Sequence, residues 1–520
     1  MDPSDTFTHE LFQELYSPHG PTSSFELPPR DLPGTIQALF LATEDGDLTQ
    51  PVVDFFNGLL SARREHGVTP SDLGFSREEL VALAQRHGEL DEHGVTVGGR
   101  LLRAVPIAQT AGERITEYLA RGTSEAPTGL ELWDRIQENA RRIQKALRIS
   151  PGDWGTFTGQ MRHLINSVDD LAALVDLPPS AIQDVRRVTK SFRMRLTPYY
   201  ASLIMPGEPG DPVLLQSVPT GEMVDNVGEE IAPVAADHSP ARLIDQFYPR
   251  VVTIKATNMC AMYCTHCLRI AHIGKQDRTY DDAAYREALG YIRRNPSIRD
   301  VLVTGGDAFM LPNSLLGWIL EELDAMDHVR VKRLGTRIPV TAPMRIDDEL
   351  LDILEASNER KPLRVVTQIN TAQEITPVSK EGFRRISRRV MAVLNQAVLL
   401  KGINDTRTKM WRLCETIQEA YVRPYYIFNC SFRNPQFAHL RVPVEVGRDI
   451  VESMYGNISG DAIPRYIATA GGKVPLHRDN VVREENGFVV LRKPWSGEEV
   501  AYPDADPVAY ADAAFAFARY

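Results

Sequence analysis

Cysteine is scarce, with five residues in 520, far below the density of a disulfide-stapled secreted scaffold. Basic residues are outnumbered, 58 Lys and Arg against 69 Asp and Glu, and the net charge of −11 argues against a nucleic-acid surface, which needs a basic stripe. No apolar run approaches the length that spans a bilayer. The opening Met1-Asp2-Pro3-Ser4-Asp5 is acidic and lacks the basic-then-apolar order of a secretory signal. The chain is therefore expected in the cytoplasm, with reduced thiols and with neither nucleic acid nor membrane as a partner. What remains is ordinary globular material, 43% hydrophobic and 24% charged, long enough for more than one folded unit.

Three of the few cysteines are concentrated in one place. Cys260, Cys264 and Cys267 stand in Cys-Ala-Met-Tyr-Cys-Thr-His-Cys. Thiolates at Cys-x3-Cys-x2-Cys spacing on a short loop can point inward and ligate three irons of a [4Fe–4S] cluster, leaving the fourth iron for a small molecule. The competing reading is structural zinc, which wants four N/S ligands, usually from two separated knuckles. Cys414 and Cys430 do not form a second knuckle, and His266 between two cysteines would crowd them.

Along the chain, residues before about 33 are rich in Pro, Ser and Thr and read as a loose arm. Helical patterning follows to about 247. Ser76-Arg77-Glu78-Glu79 forms a capping box, with Phe75 and Leu80 as a staple and Gly88 as a stop. Leu130–Leu147 and Pro179–Ile204 carry amphipathic periodicity, and Pro206–Pro240 is Pro- and Gly-rich and expected to be extended. From 251 the pattern alternates. Strands are expected at Val251–Thr257, Val301–Thr304, Val329–Leu334, Leu363–Ile369, Val390–Leu400 and Arg423–Phe428. Helices are expected at Tyr280–Arg294, Ser314–Met326, Asp347–Ala356, Lys380–Arg389 and Thr406–Tyr421. Strands alternating with helices imply a parallel sheet. Six units are fewer than a closed eight-fold barrel needs. The fold class is thus α/β, a partial TIM-like (β/α)6 barrel with an N-terminal helical region and a small C-terminal β-containing extension. The corresponding boundaries are 1–130, 131–247, 248–432 and 433–520. The last part carries a Gly471-Gly472-Lys473 turn and a hairpin, Phe488–Lys493 with Glu498–Tyr502.

Polar residues gather at the expected strand ends, where such barrels keep their active sites. They are the cysteine loop, Thr304-Gly305-Gly306-Asp307, Gly335-Thr336-Arg337, Gln368-Ile369-Asn370, Asn395-Gln396 and Asn429-Cys430-Ser431. Each alone is a bland loop. Gly305 and Gly306 would let backbone approach a ligand closely. S-adenosylmethionine has the amino and carboxylate groups that could chelate an open iron, and cleavage of its sulfonium there would give a 5′-deoxyadenosyl radical.

The chain resembles the radical S-adenosylmethionine enzymes, and within them the lysine 2,3-aminomutase family. The likeness runs from about Trp133 to Tyr502 and is carried by the cysteine loop, Leu196-Thr197-Pro198-Tyr199-Tyr200, Asp300-Val301-Leu302-Val303-Thr304-Gly305-Gly306-Asp307, Thr336-Arg337-Ile338-Pro339-Val340 and Glu374-Ile375-Thr376. Asn395 to Asp405, Arg423-Pro424-Tyr425-Tyr426 and Gly472-Lys473-Val474-Pro475 continue it. The resemblance implies pyridoxal 5′-phosphate (PLP) beside the cluster and an α-to-β shift of an amino group through an azacyclopropyl radical. It implies Lys473 as the PLP Schiff-base lysine, Gln396 as a PLP contact and Arg269 as the clamp on the substrate carboxylate. It further implies Tyr263, His266, Gly305, Gly306, Asp307 and Gln368 around S-adenosylmethionine. An electron donor such as flavodoxin or ferredoxin would be a partner, and a homo-oligomer is compatible.

The chain departs from the family in several places. The aspartates that hold lysine's distal ammonium are replaced by Ser431 and by Ala468-Thr469-Ala470, so an amino acid other than lysine is expected, since an unpaired ammonium would be costly. The glutamate relatives' lysine and asparagine are not matched either, and the direction of Arg433 and Arg465 is open. An arginine for the PLP phosphate falls at Phe247, leaving Arg250 as the candidate, and an Asn-His-Pro run reads Asn370-Thr371-Ala372. The cysteines that bind zinc between subunits are missing, so no zinc is expected. Two alternatives stand beside an aminomutase: a PLP-dependent relative that deaminates or eliminates, and an iron–sulfur or zinc protein used for binding or sensing.

Overall fold

The computed structural model describes residue 79 and residues 97–227, 239–274, 276–278 and 280–512. The chain divides into Met1–Leu119 and Ala120–Tyr520; apart from the start of helix α1 (Val97–Glu125), all elements below lie in the second unit. The expected N-terminal arm and the Ser76 capping box with its Gly88 stop fall outside the described residues, Glu79 alone excepted.

Among the described residues, nine strands form one sheet in chain order. They are β1 (Ile244–Tyr248), β2 (Val251–Thr257), β3 (Asp300–Gly305), β4 (Val331–Gly335), β5 (Leu363–Thr367), β6 (Ala392–Leu399), β7 (Arg423–Asn429), β8 (Arg465–Thr469) and β9 (Lys473–Pro475). Strands β2 to β8 pair parallel, while β1 and β9 lie antiparallel on the two edges. The sheet curls into a half-barrel, and one hydrogen bond reaches across from edge to edge: the Lys473 amide on β9 donates to the Tyr248 hydroxyl on β1 at 3.1 Å. The six expected strands are present. The sheet also has β8, a seventh parallel strand whose five residues gave no strong alternation, and the short antiparallel edges.

The burial pattern explains which way each strand faces. Positions 251, 253 and 255 of β2 are half-buried while 252, 254 and 256 are buried, and β3 and β4 repeat the alternation. A strand's side chains alternate between two faces. The buried set lies under the crossover helices and the half-buried set lines the lumen. Those helices connect the parallel strands in turn. Side-chain N-caps start four of them: Asp281 for α4 (Asp282–Arg294), Asp347 for α6 (Asp348–Arg360), Thr376 for α7 (Pro377–Ser387) and Thr406 for α8 (Arg407–Glu419). Helices α5 (Asn313–Asp324) and α9 (Val444–Glu452) complete the set.

The N-terminal layer contains α2 (Trp133–Leu147) and α3 (Pro179–Val188). The expected continuous stretch from Pro179 to Ile204 is broken: α3 ends at Val188, and Leu196 bridges to Ile165 before a short helix at Pro198–Ser202. Within Pro206–Pro240 the expected extended chain is partly helical, at Pro212–Ser217 with an Asp211 cap and at Glu222–Asp225. One apolar core joins this layer to the barrel, running from Ile136 and Tyr200 through Met262 of the cysteine loop to Val398 and Phe437. The C-terminal hairpin is present as β11 (Phe488–Arg492) and β12 (Glu499–Pro503), with β10 (Val481–Glu485) as an additional strand. Among the described residues, no helix is long and apolar enough to cross a membrane.

Candidate active site

The cysteine loop leaves the carboxyl end of β2 and is pinned by the N-terminal layer. The Tyr263 amide donates to the Arg195 carbonyl at 3.1 Å and the Thr265 amide to the Gln216 carbonyl at 3.0 Å. Ala261, Met262, Tyr263, Thr265 and His266 are buried, whereas Cys260, Cys264 and Cys267 are half-exposed. Burial raises the Cys260 thiol well above its usual range, followed by the charges of Asp307, Cys267 and Cys264. Cys267 is pushed up to about 12 by burial and then by Cys264. Sulfurs close enough that Cys264 and Cys267 act on the Cys260 thiol, and Cys264 on that of Cys267, are a set that could hold a cationic metal centre.

A buried polar network stands behind Cys264. The Arg337 guanidinium donates to Cys264 Sγ at 2.9 Å, to a Glu374 carboxylate oxygen at 2.8 Å and to the Gln368 carbonyl at 3.0 Å. Glu374, itself 0% exposed, also accepts from the Tyr200 hydroxyl and the Asn370 amide. Asn370 reaches Gln216 at 3.0 Å and His266 Nε2 at 3.3 Å. Burial, then the Arg337 charge, brings His266 down to about 3, so its imidazole is neutral. Thr371, where an Asn-His-Pro run would have histidine, caps the short helix that presents Glu374. The sequence singled out Tyr200, Arg337 and Glu374 only as parts of motifs. Their mutual contact spans 137 and 37 residues and left no local signal.

The residues expected around S-adenosylmethionine divide into two groups. His266 and half-buried Gln368 lie at the rim beside the cysteines. Tyr263 is held by other partners: its ring sits between Arg193 and Arg195, at 4.5 and 4.8 Å, and its hydroxyl donates to Asp277. Asp307 is also committed, its carboxylate accepting from the Phe309 and Arg337 amides. It bridges the ends of β3 and β4. Gly305 and Gly306 are required by the protein's own backbone. A Cβ on Gly305 would stand 2.1 Å from the Thr257 carbonyl oxygen, and one on Gly306 would stand 2.1 Å from that of Met259. Gly305 also has φ +120°. Gly305→Ala should therefore destabilise the fold by about 3 kcal/mol, read as a lowered denaturant midpoint; an unchanged midpoint would contradict this packing.

Deeper in the lumen, Lys473 extends from β9. Its ammonium lies 4.7 Å from the centre of the Tyr426 ring and 5.7 Å from that of Phe428. Burial first, then the like charge of Arg333, lowers it to about 8, against a smaller opposing effect of Asp300. Gln396 is the register partner of Tyr426 and so shares the lumen face. Arg269 donates to the Thr304 hydroxyl at 3.4 Å, at the mouth between the cysteines and β3. Ser431 is buried, 7% exposed, on the loop after β7.

The candidate phosphate arginine stands at the edge of the barrel. Arg250 is exposed before β2, its carbonyl accepting from the Arg299 and Asp300 amides. The arginine that Lys473 senses is Arg333, on β4, ion-paired to Asp300 at 2.7 Å. Arg364 is its register partner on β5. Each stands half-buried between fully buried neighbours, Lys332 and Leu334 for the first, Leu363 and Val365 for the second. That alternation, a charge on the lumen face of a buried strand, was the available signal. Arg433 and Arg465 are both exposed.

No family model matches the chain. The chain is 38% identical over 400 residues to the glutamate 2,3-aminomutase of Clostridioides difficile (strain 630), covering 76% of this chain and 93% of that protein. It is 34% identical over 379 residues to the L-lysine 2,3-aminomutase of Bacillus subtilis (strain 168), 72% of this chain and 79% of that one. With the L-lysine 2,3-aminomutase of Clostridium subterminale it shares 34% over 375 residues, 71% and 88% of the two chains.

Proposed function

The chain belongs to the lysine 2,3-aminomutase family, and from that premise we propose that it is a radical 2,3-aminomutase acting on an α-amino acid other than lysine. The observation that carries this reading is the shared lumen. Three half-exposed cysteines stand at its mouth, and a lysine with a lowered pKa stands below them on a ring-lined wall.

The residues fit the groups this chemistry requires. Cys260, Cys264 and Cys267 would hold a four-iron cluster. Lys473 would attach PLP, which wants a neutral amine. Tyr426 and Phe428 offer the ring faces beside it, and Arg333 with Arg364 offers two guanidiniums for the phosphate. When bound, the cluster would supply one electron to split S-adenosylmethionine, and PLP would carry the migrating nitrogen. Arg269 would orient the substrate carboxylate beside Thr304. His266 and Gln368 line the rim toward the cysteines, and the N-terminal layer pins the cysteine loop through the Arg195 and Gln216 carbonyls. The electron enters from an external carrier of the flavodoxin or ferredoxin class.

The substrate's side chain meets no carboxylate at the two positions expected to hold an ammonium. Ser431 offers a hydroxyl, and Ala468 and Ala470 are buried around half-buried Thr469. A lysine ammonium bound there would lose its hydration without an ionic partner. Assayed with cluster, PLP and S-adenosylmethionine, the enzyme should turn over lysine at least about 100-fold less efficiently than its best substrate, the cost of about 3 kcal/mol for one unpaired charge. Screening amino acids, glutamate included, for an isomer of equal mass tests the reading. Release of free ammonia instead would mean deamination, and efficient formation of β-lysine would remove the substrate assignment.

A further inference from the structure

We propose that Arg337 is a positioning residue for the redox centre: held by Glu374, it aims one guanidinium N–H at Cys264 Sγ and favours the reduced cluster. This rests on the reading of Cys260, Cys264 and Cys267 as cluster ligands. Neither the motif containing Arg337 nor the comparisons give the residue this role.

The geometry is specific. Arg337 is 8% exposed and its guanidinium is fixed on several sides. One edge meets the Gln368 carbonyl at 3.0 Å, and Nη2 meets Glu374, Gln216 and the Tyr200 hydroxyl. These acceptors leave Nη1 directed at the sulfur, 2.9 Å away. Glu374 cannot swing toward the sulfur instead, because the Asn370 and Thr371 amides and the Tyr200 hydroxyl hold it. The ion pair is therefore an oriented dipole, its positive end against the thiolate and its negative end behind.

The electrostatic consequence follows from charge alone. Reduction adds one electron, taken from an external low-potential donor that is oxidised by one electron, and no bond changes. The reduced cluster is more negative by one charge. A guanidinium touching a ligating sulfur stabilises that state, and the low local dielectric makes the effect large. Hydrogen bonds and charge near the sulfurs are recognised determinants of such potentials. Glu374 opposes Arg337, from farther away.

The two side chains should therefore move the potential in opposite directions. Glu374→Gln keeps the guanidinium and removes the opposing carboxylate, so the potential should rise. The paired variant Arg337→Gln with Glu374→Gln removes both charges without stranding either, so the potential should fall below that of the parent. The measurement is an anaerobic redox titration of the reconstituted proteins, followed by the cluster's absorbance and electron paramagnetic resonance. A tenfold change in the reduced-to-oxidised ratio at fixed poise is expected in each case, equal to about 59 mV for one electron. A purely structural network would lose iron or stability without this sign reversal. Intact clusters with unshifted potentials, or shifts of the same sign in both proteins, overturn the proposal. If the paired variant holds no cluster, Glu374→Gln alone decides. A parent protein that binds no iron would instead sink the reading of the cysteines.

Discussion

Cys264→Ala should abolish turnover and strip the protein of its visible iron–sulfur absorbance, while Cys414→Ala should leave both intact. The expected contrast follows from where the two thiols lie. Cys264 is half-exposed, beside two further sulfurs, and accepts a hydrogen bond from a buried arginine. Cys414 is 2% exposed inside α8, and burial holds its thiol far above the range in which it would ionise. Loss of one ligand from a set that acts together costs nearly as much as loss of all, so activity should fall by at least about 10⁴-fold, toward background. Cys264→Ala also leaves a guanidinium N–H of Arg337 without an acceptor, a further cost of about 1–3 kcal/mol. Iron content per chain and 5′-deoxyadenosine released with dithionite and S-adenosylmethionine are the measurements. A Cys264→Ala protein with full iron and full turnover would favour the competing view of a binding or sensing protein.

The barrel was legible because its strands obey a short rule. In β2, Val252, Ile254 and Ala256 go under the helices while Val251, Thr253 and Lys255 face the lumen, and Asp or Thr caps mark four of the crossover helices. What failed to show was whatever depends on distant partners. Lys332 reads as a surface charge, yet it is 0% exposed, held by Asp324 and by the Ser357 carbonyl. Strand β8 looks unremarkable in sequence because the neighbouring strand, not its own pattern, makes it a strand. Gly305 and Gly306 could be recognised as needed, but the close Thr257 and Met259 carbonyls that leave no room for a side chain could not. Within the site, the cysteine spacing is local and could be read directly. The Arg337–Glu374 pair is not, since nothing in either residue's neighbourhood names the other. For Arg250, position in sequence suggested a phosphate partner, while its exposure before β2 was not legible there.

Lys473→Ala should lose covalent PLP completely, and the parent protein should gain it along a pH curve that burial and Arg333 set together. The Lys473 ammonium is brought down to about 8, chiefly by burial and next by the guanidinium of Arg333. Only the neutral amine attacks an aldehyde. Below pH 8 the protonated form prevails and attachment is slow. As pH rises through 8 the neutral fraction grows, so the rate at limiting PLP should climb and then level. Arg333→Gln removes one of the two effects that disfavour the proton, and it leaves Asp300 as a nearby anion that favours it. Both changes move the lysine pKa upward, so the curve should shift to higher pH and the rate at neutral pH should fall several-fold. Borohydride trapping across a pH series, with the labelled peptide identified by mass, measures this directly. A midpoint near the ordinary lysine value in the parent, or a curve that Arg333→Gln leaves in place, would show that Lys473 does not sense its wall as the geometry requires. A label on another lysine would remove it from the reaction altogether. Because trapping needs no cluster and no electron donor, its result stands even if the iron chemistry at the mouth of the lumen fails its own test.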